Sequence, residues 1–76
     1  MATYNGHKNW NHWNVSLWIG NDEGLYGLAR HCLRVTDNRD DASTVMLEDL
    51  IDRGITETPD GAPYTFTTVR AALRGI

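Results

Sequence analysis

The stretch NWNHWNVSLWIGNDEGLY, residues 9–26, places three tryptophans, four asparagines and a helix-start signal in one short segment. At about 100° per residue, Trp10, Trp13 and Leu17 share one helix face, and Val15, Trp18 and Ile19 carry the apolar arc past half the circumference. Such a helix is buried on most sides. Asn9 or Asn11 can cap its start by accepting from a free backbone N–H, and Gly20 can end it in a left-handed conformation. The tryptophans are expected mostly in the core, since a chain of 76 residues has little other bulk to bury. Asn14 falls inside the apolar arc, so its amide needs partners. The expected arrangement is a hydrogen bond tying this helix to a neighbouring loop.

Further along, NDEGLYGLARHCLRV reads as a second helix capped by Asn21 or Asp22, with Glu23 at the positive end of the dipole. Leu25, Leu28, Ala29, Cys32 and Leu33 recur at i, i+3, i+4, i+7 and i+8, which gives it one apolar stripe. Gly24 and Gly27 weaken its propensity, and close approach of the indole-bearing helix would explain them. A third helix over residues 42–53 turns Val45, Met46, Leu47, Leu50 and Ile51 to the core, with Gly54 as its cap and Ile55 folding back near Leu50. TPDGAPY reads as turns around Pro59-Asp60-Gly61. A short helix follows from Thr65, with Phe66, Val69, Leu73 and Ile76 inward and Arg70 and Arg74 stacked outside. These two arginines form a possible clamp for phosphate or carboxylate. The pattern specifies an all-α single domain of three to four short helices, with residues 1–8 as a flexible N-terminal arm.

Cys32 is the only cysteine, which excludes an intrachain disulfide and a cysteine zinc site and fits a reducing, cytoplasmic setting. Its place on the apolar stripe makes it a small hydrophobe. No apolar run approaches the ~20 residues of a membrane span, and the N-terminus lacks a signal-peptide pattern. The net charge of −3 is unevenly spread. Asp37, Asp40, Asp41, Glu48, Asp49, Asp52, Glu57 and Asp60 stand against Arg39 and Arg53, a segment of −6. The remainder carries +3, from Lys8, Arg30, Arg34, Arg70 and Arg74 against Asp22 and Glu23. An acidic surface keeps a small protein solvated, and it also suits a basic partner.

Signals of catalysis are missing. His7, His12 and His31 show no zinc spacing, no Gly-x-Ser-x-Gly turn occurs, and Gly20, Gly24 and Gly27 lack the Lys-Ser/Thr of a phosphate loop. These absences predict no cofactor, no metal and no enzymatic activity. A helix-turn-helix around Gly20 would point the leading acids of its second helix at DNA phosphates, which repel them.

Asn9, Trp13, Asn14, Val15, Leu17, Trp18, Ile19, Asn21, Asp22, Glu23, Leu25 and Tyr26 match a pattern Asn-x-x-x-Trp-Asn-Val-x-Leu-Trp-Ile-x-Asn-Asp-Glu-x-Leu-Tyr. It resembles a family of small proteins of phages, prophages and other mobile elements. That resemblance implies a partner in the infected bacterial host, with inhibitors of defence such as anti-CRISPR and antirestriction proteins a frequent case. The leading expectation is a non-enzymatic inhibitor that docks Asp37, Asp40, Asp41, Glu48, Asp49 and Asp52, with Tyr26, on a basic surface of a nucleic-acid-handling host complex. The alternative is a helical regulatory module contacting nucleic acid through Arg30, Arg34, Arg70 and Arg74. A homodimer would cover surplus tryptophan surface.

Overall fold

A computed structural model describes residues 6–76 as four helices. They are α1 (Trp10–Asn21), α2 (Glu23–Val35), α3 (Arg39–Asp52) and α4 (Phe66–Leu73). The protein is a small all-α domain. Residues 1–5 of the expected N-terminal arm lie outside the described residues.

Each helix packs on two others: α1 on α2 and α4, and α3 on α2 and α4. Val15, Ile19, Ala29, Cys32, Ala42, Met46, Leu50, Val69, Ala72 and Leu73 fill the space enclosed by this ring. Leu25, Leu28 and Leu33 pack around that centre, so the stripe expected on α2 is the one observed.

The tryptophan helix sits differently from the sequence expectation. Its fully buried residues are Asn14, Val15 and Ile19, whereas Trp10 and Leu17 lie on the side turned away, 36% and 37% exposed. Trp13 and Trp18 are half-buried. The interior of so small a bundle takes β-branched side chains more readily than indoles, which are seldom fully enclosed even when largely covered. Two outward residues were likewise expected inside α3: Val45 and Ile51 are exposed, while Met46 and Leu50 are fully buried and Leu47 is partly so. On α4, Val69 and Leu73 are buried and Phe66 is exposed, as is Ile76 beyond its end.

Capping explains the boundaries. Asn9 accepts from the His12 amide at 3.0 Å and starts α1. Gly20 does not end it, because Asp22 serves both neighbouring helices. The Asp22 N–H donates to Trp18 O at 2.9 Å, and its carboxylate accepts from the Leu25 amide at 2.9 Å. The chain therefore turns at Asp22, in extended backbone, rather than at a left-handed glycine. Nothing approaches a Cβ placed at Gly27, and one at Gly24 would meet only the Asp22 carboxylate. The expected close approach of α1 at these glycines is absent. Asn38 caps α3 through the Asp41 amide at 2.8 Å, which starts the helix at Arg39, ahead of the expected residue 42. Its far end follows expectation: Gly54 has φ +75, and Ile55 N–H reaches back to Leu50 O at 2.9 Å. Thr65 and Thr68 form a reciprocal capping box at the start of α4.

A polar knot joins α1 to the loop between α3 and α4. Asn14 Nδ2 and Trp18 Nε1 each donate to Asp60 Oδ2 at 2.9 Å. Asn14 Oδ1 accepts from the Thr58 hydroxyl at 2.6 Å, and that hydroxyl oxygen accepts from the Ala62 amide at 3.0 Å. The expected tie from Asn14 to a loop is thus present, with its partners identified. Asn14 and Thr58 are almost wholly enclosed, so the bonds that Asn14 Oδ1 and the Thr58 hydroxyl make replace lost solvation, while Asp60 itself is exposed. Gly61, at φ +95, closes the bend, and Thr58 and Ala62 exchange a further backbone bond from the Thr58 amide at 2.8 Å.

Candidate functional site

The acidic residues singled out in the sequence distribute over the start and outer side of α3. Asp37 precedes the Asn38 cap; Asp40 and Asp41 stand in the first turn, where the helix dipole favours them. Helical spacing then brings Asp41, Val45, Glu48 and Asp52 into a single stripe at i, i+4, i+7 and i+11, with Thr44 and Ile51 alongside. All six are exposed. Val45 is 40% and Ile51 56% exposed, so this face presents apolar patches between carboxylates rather than a purely solvated surface.

Ion pairing separates these carboxylates into different classes. Asp40 is paired with Arg70 from α4. Asp49 is half-buried and lies 2.8 Å from the Arg53 guanidinium one turn on. Asp41 accepts only a local bond from Asn38 Nδ2, at 3.2 Å. Glu48 and Asp52 form no ion pair among the described residues. Asp37, like Glu48 and Asp52, is exposed and forms no ion pair among the described residues, and of the carboxylates with charge left for a partner Asp41, Glu48 and Asp52 are the ones that share one stripe of α3.

Tyr26 stands apart from that stripe. It is on α2, with the Arg30 guanidinium 5.9 Å from its ring centroid, and it borders a shallow cavity with Leu33, Arg34 and Ile76. The four arginines of the alternative reading do not form one strip either. Arg30 and Arg34 accompany Tyr26, whereas Arg70 and Arg74 line a cleft with His7, Lys8 and His12. Asp40 occupies Arg70, so a nucleic-acid contact there has a resident carboxylate to displace.

Sequence reasoning missed two arrangements. One is the role of Asp60, which lies in a turn and accepts two hydrogen bonds from α1; those bonds from Asn14 and Trp18 hold its carboxyl below the usual carboxylate range. The demand of Asn14 for a partner was readable, but its separation from Asp60 in the chain carried no signal. The other is the gathering of residues 6–8 with Arg70 and Arg74 around one cleft. Elsewhere, burial and then Asp49 push the Cys32 thiol up, which makes it a poor nucleophile. Burial, with Asp22, also raises Tyr64. Among the described residues no group of histidines, cysteines and carboxylates is placed to hold a metal, and no helix is long and apolar enough to cross a membrane.

The model of a family of unknown function, DUF7249, matches residues 1–73, and the chain belongs to that family. No curated protein and no solved structure matches the chain.

Proposed function

We propose that this member of the family acts as a non-enzymatic binding protein, docking the outer face of α3 on a basic surface of a nucleic-acid-handling complex. The observation carrying this reading is the stripe of Asp41, Glu48 and Asp52 around exposed Val45, with Ile51 beside it. Carboxylates without strong intramolecular partners steer a cationic surface into contact, and the apolar side chains between them gain by losing water. Val45 within the stripe and Ile51 beside it add apolar surface that a partner can cover.

The resemblance of residues 9–26 to proteins of phages and mobile elements supplies the biological setting. In that setting the partner is a bacterial defence complex, and the protein is an inhibitor of anti-CRISPR or antirestriction type. Such complexes carry basic channels for nucleic acid, which an acidic protein can occupy. The test compares the native protein with an Asp41→Lys/Glu48→Lys/Asp52→Lys variant in affinity capture from bacterial lysate, followed by binding measurements on the recovered complex. Loss of about tenfold or more in affinity, with unchanged helical circular dichroism, supports the docking face. Equal affinity of the two proteins refutes it. Recovery of nuclease-sensitive nucleic acid alone would favour the alternative through Arg30, Arg34, Arg70 and Arg74, with Asp40 to be displaced from Arg70.

A further inference from the structure

A cleft of about 570 Å³ opens where residues 6–8 lead into α1 and face the outer side of α4. Its charged lining has one sign: Lys8, Arg70 and Arg74, joined by His7 and His12, with no carboxylate among the lining residues. The protein as a whole carries −3, so the cleft is opposite in sign to the net charge. Helical periodicity alone does not produce this. Arg70 and Arg74 come from α4, His12 from the first turn of α1, and His7 and Lys8 from the segment before it.

Like charges lining one cleft disfavour one another. Arg70 and Arg74 are four residues apart on one helix, a spacing at which equal charges repel. His12 responds to its surroundings: burial first, and then Lys8 and His7, disfavour its protonated form. Lys8 and Arg74 form no ion pair among the described residues. Arg70 alone has a counter-charge, Asp40, at the edge of the cleft. An anion entering the cleft would offset the repulsion and give the guanidinium forks of Arg70 and Arg74 an acceptor of matching geometry.

We propose that this cleft binds a phosphate-bearing small molecule carrying several negative charges, held by Lys8, Arg70 and Arg74. A monocarboxylate would leave most of the positive charge uncompensated, whereas a diphosphate or triphosphate group meets it. The volume falls in the range of small-molecule sites, roughly 300–1,000 Å³. Asp40 competes with the ligand for Arg70. This site lies outside the α3 stripe of Asp41, Glu48 and Asp52, and its occupancy does not depend on a protein partner.

The test is calorimetric titration of the full chain with pyrophosphate at low ionic strength, with sodium chloride at matched ionic strength as the control. Saturable one-site binding is expected, weakened about tenfold or more in Lys8→Ala and in Arg74→Ala. Asp40→Asn should tighten binding several-fold by releasing Arg70, while Arg34→Ala, outside the cleft, leaves it unchanged. These side chains lie outside the enclosed core, so folding is checked in each variant by circular dichroism. Absence of pyrophosphate binding overturns the proposal. So does binding that appears only with an oligonucleotide, or binding that falls equally with Arg34→Ala, since either outcome describes a diffuse phosphate-backbone surface.

Discussion

Thr58→Val removes one hydroxyl and leaves two enclosed groups without their partners. Asn14 Oδ1 loses the donor at 2.6 Å, and the Ala62 amide loses the acceptor at 3.0 Å. Asn14, Thr58 and Ala62 are all buried, so water does not readily replace either bond. Each orphaned group costs about 1–3 kcal/mol, giving a destabilisation of about 2–6 kcal/mol for one substitution. A domain of this size has about 4–11 kcal/mol in total at ~0.05–0.15 kcal/mol per residue, so the variant should remain folded in the cold yet unfold at much lower urea. Thr58→Ser retains the hydroxyl and should lose only about 1 kcal/mol for its methyl group. Urea titration followed by circular dichroism, with tryptophan fluorescence as a second probe, measures all three proteins. Asn14→Ala completes a double-mutant cycle with Thr58→Val, and their coupling should be about 1 kcal/mol or more. If Thr58→Val is no less stable than Thr58→Ser, the knot does not hold the loop to α1 and the reasoning fails.

Other consequences concern acid, glycine and thiol. The Asp60 carboxyl is held below the usual range in the folded protein, so its contribution is present at neutral pH and disappears as pH falls through its folded value. The urea midpoint should therefore drop below about pH 4, and Asp60→Asn should flatten that part of the profile. Gly27→Ala should raise stability by about 0.5–1 kcal/mol, because its Cβ enters open space on a helix; a lower melting temperature would show that some contact there had been overlooked. Gly54→Ala should lower stability by about 1 kcal/mol or more, since the φ of +75 is unfavourable for a side chain. Finally, Cys32 should react with a thiol reagent only at the rate of unfolding, and rapid labelling in native buffer would contradict its burial.

The helices were legible because their caps and apolar stripes are local. Asn9, Asp22, Gly54 and Thr65 mark termini through local hydrogen bonds and backbone geometry, whereas Gly20 lies inside α1 and the Asn38 cap starts α3 ahead of the expected residue 42. The orientation of α1 was not legible, because its apolar residues cover most of its circumference and leave the period without a direction. Only packing against α2 and α4 selects Val15 and Ile19 for the centre and turns Trp10 outward. The need of Asn14 for a partner followed from its place in the apolar arc, but the choice of Thr58 and Asp60 depends on where the loop comes to rest. The same limit applies to charge: helical spacing aligned Asp41, Glu48 and Asp52, while the pairing of Asp40 with Arg70 and the gathering of His7 and Lys8 near Arg74 are products of tertiary structure.

The most direct measurement of the central claim is the affinity of the complex captured by the native protein for the triple variant Asp41→Lys/Glu48→Lys/Asp52→Lys. Docking through α3 predicts a well-folded variant whose affinity is reduced about tenfold or more, with the remaining binding strongly weakened by salt. An unchanged dissociation constant in a folded variant would contradict the claim and remove this face from the interaction.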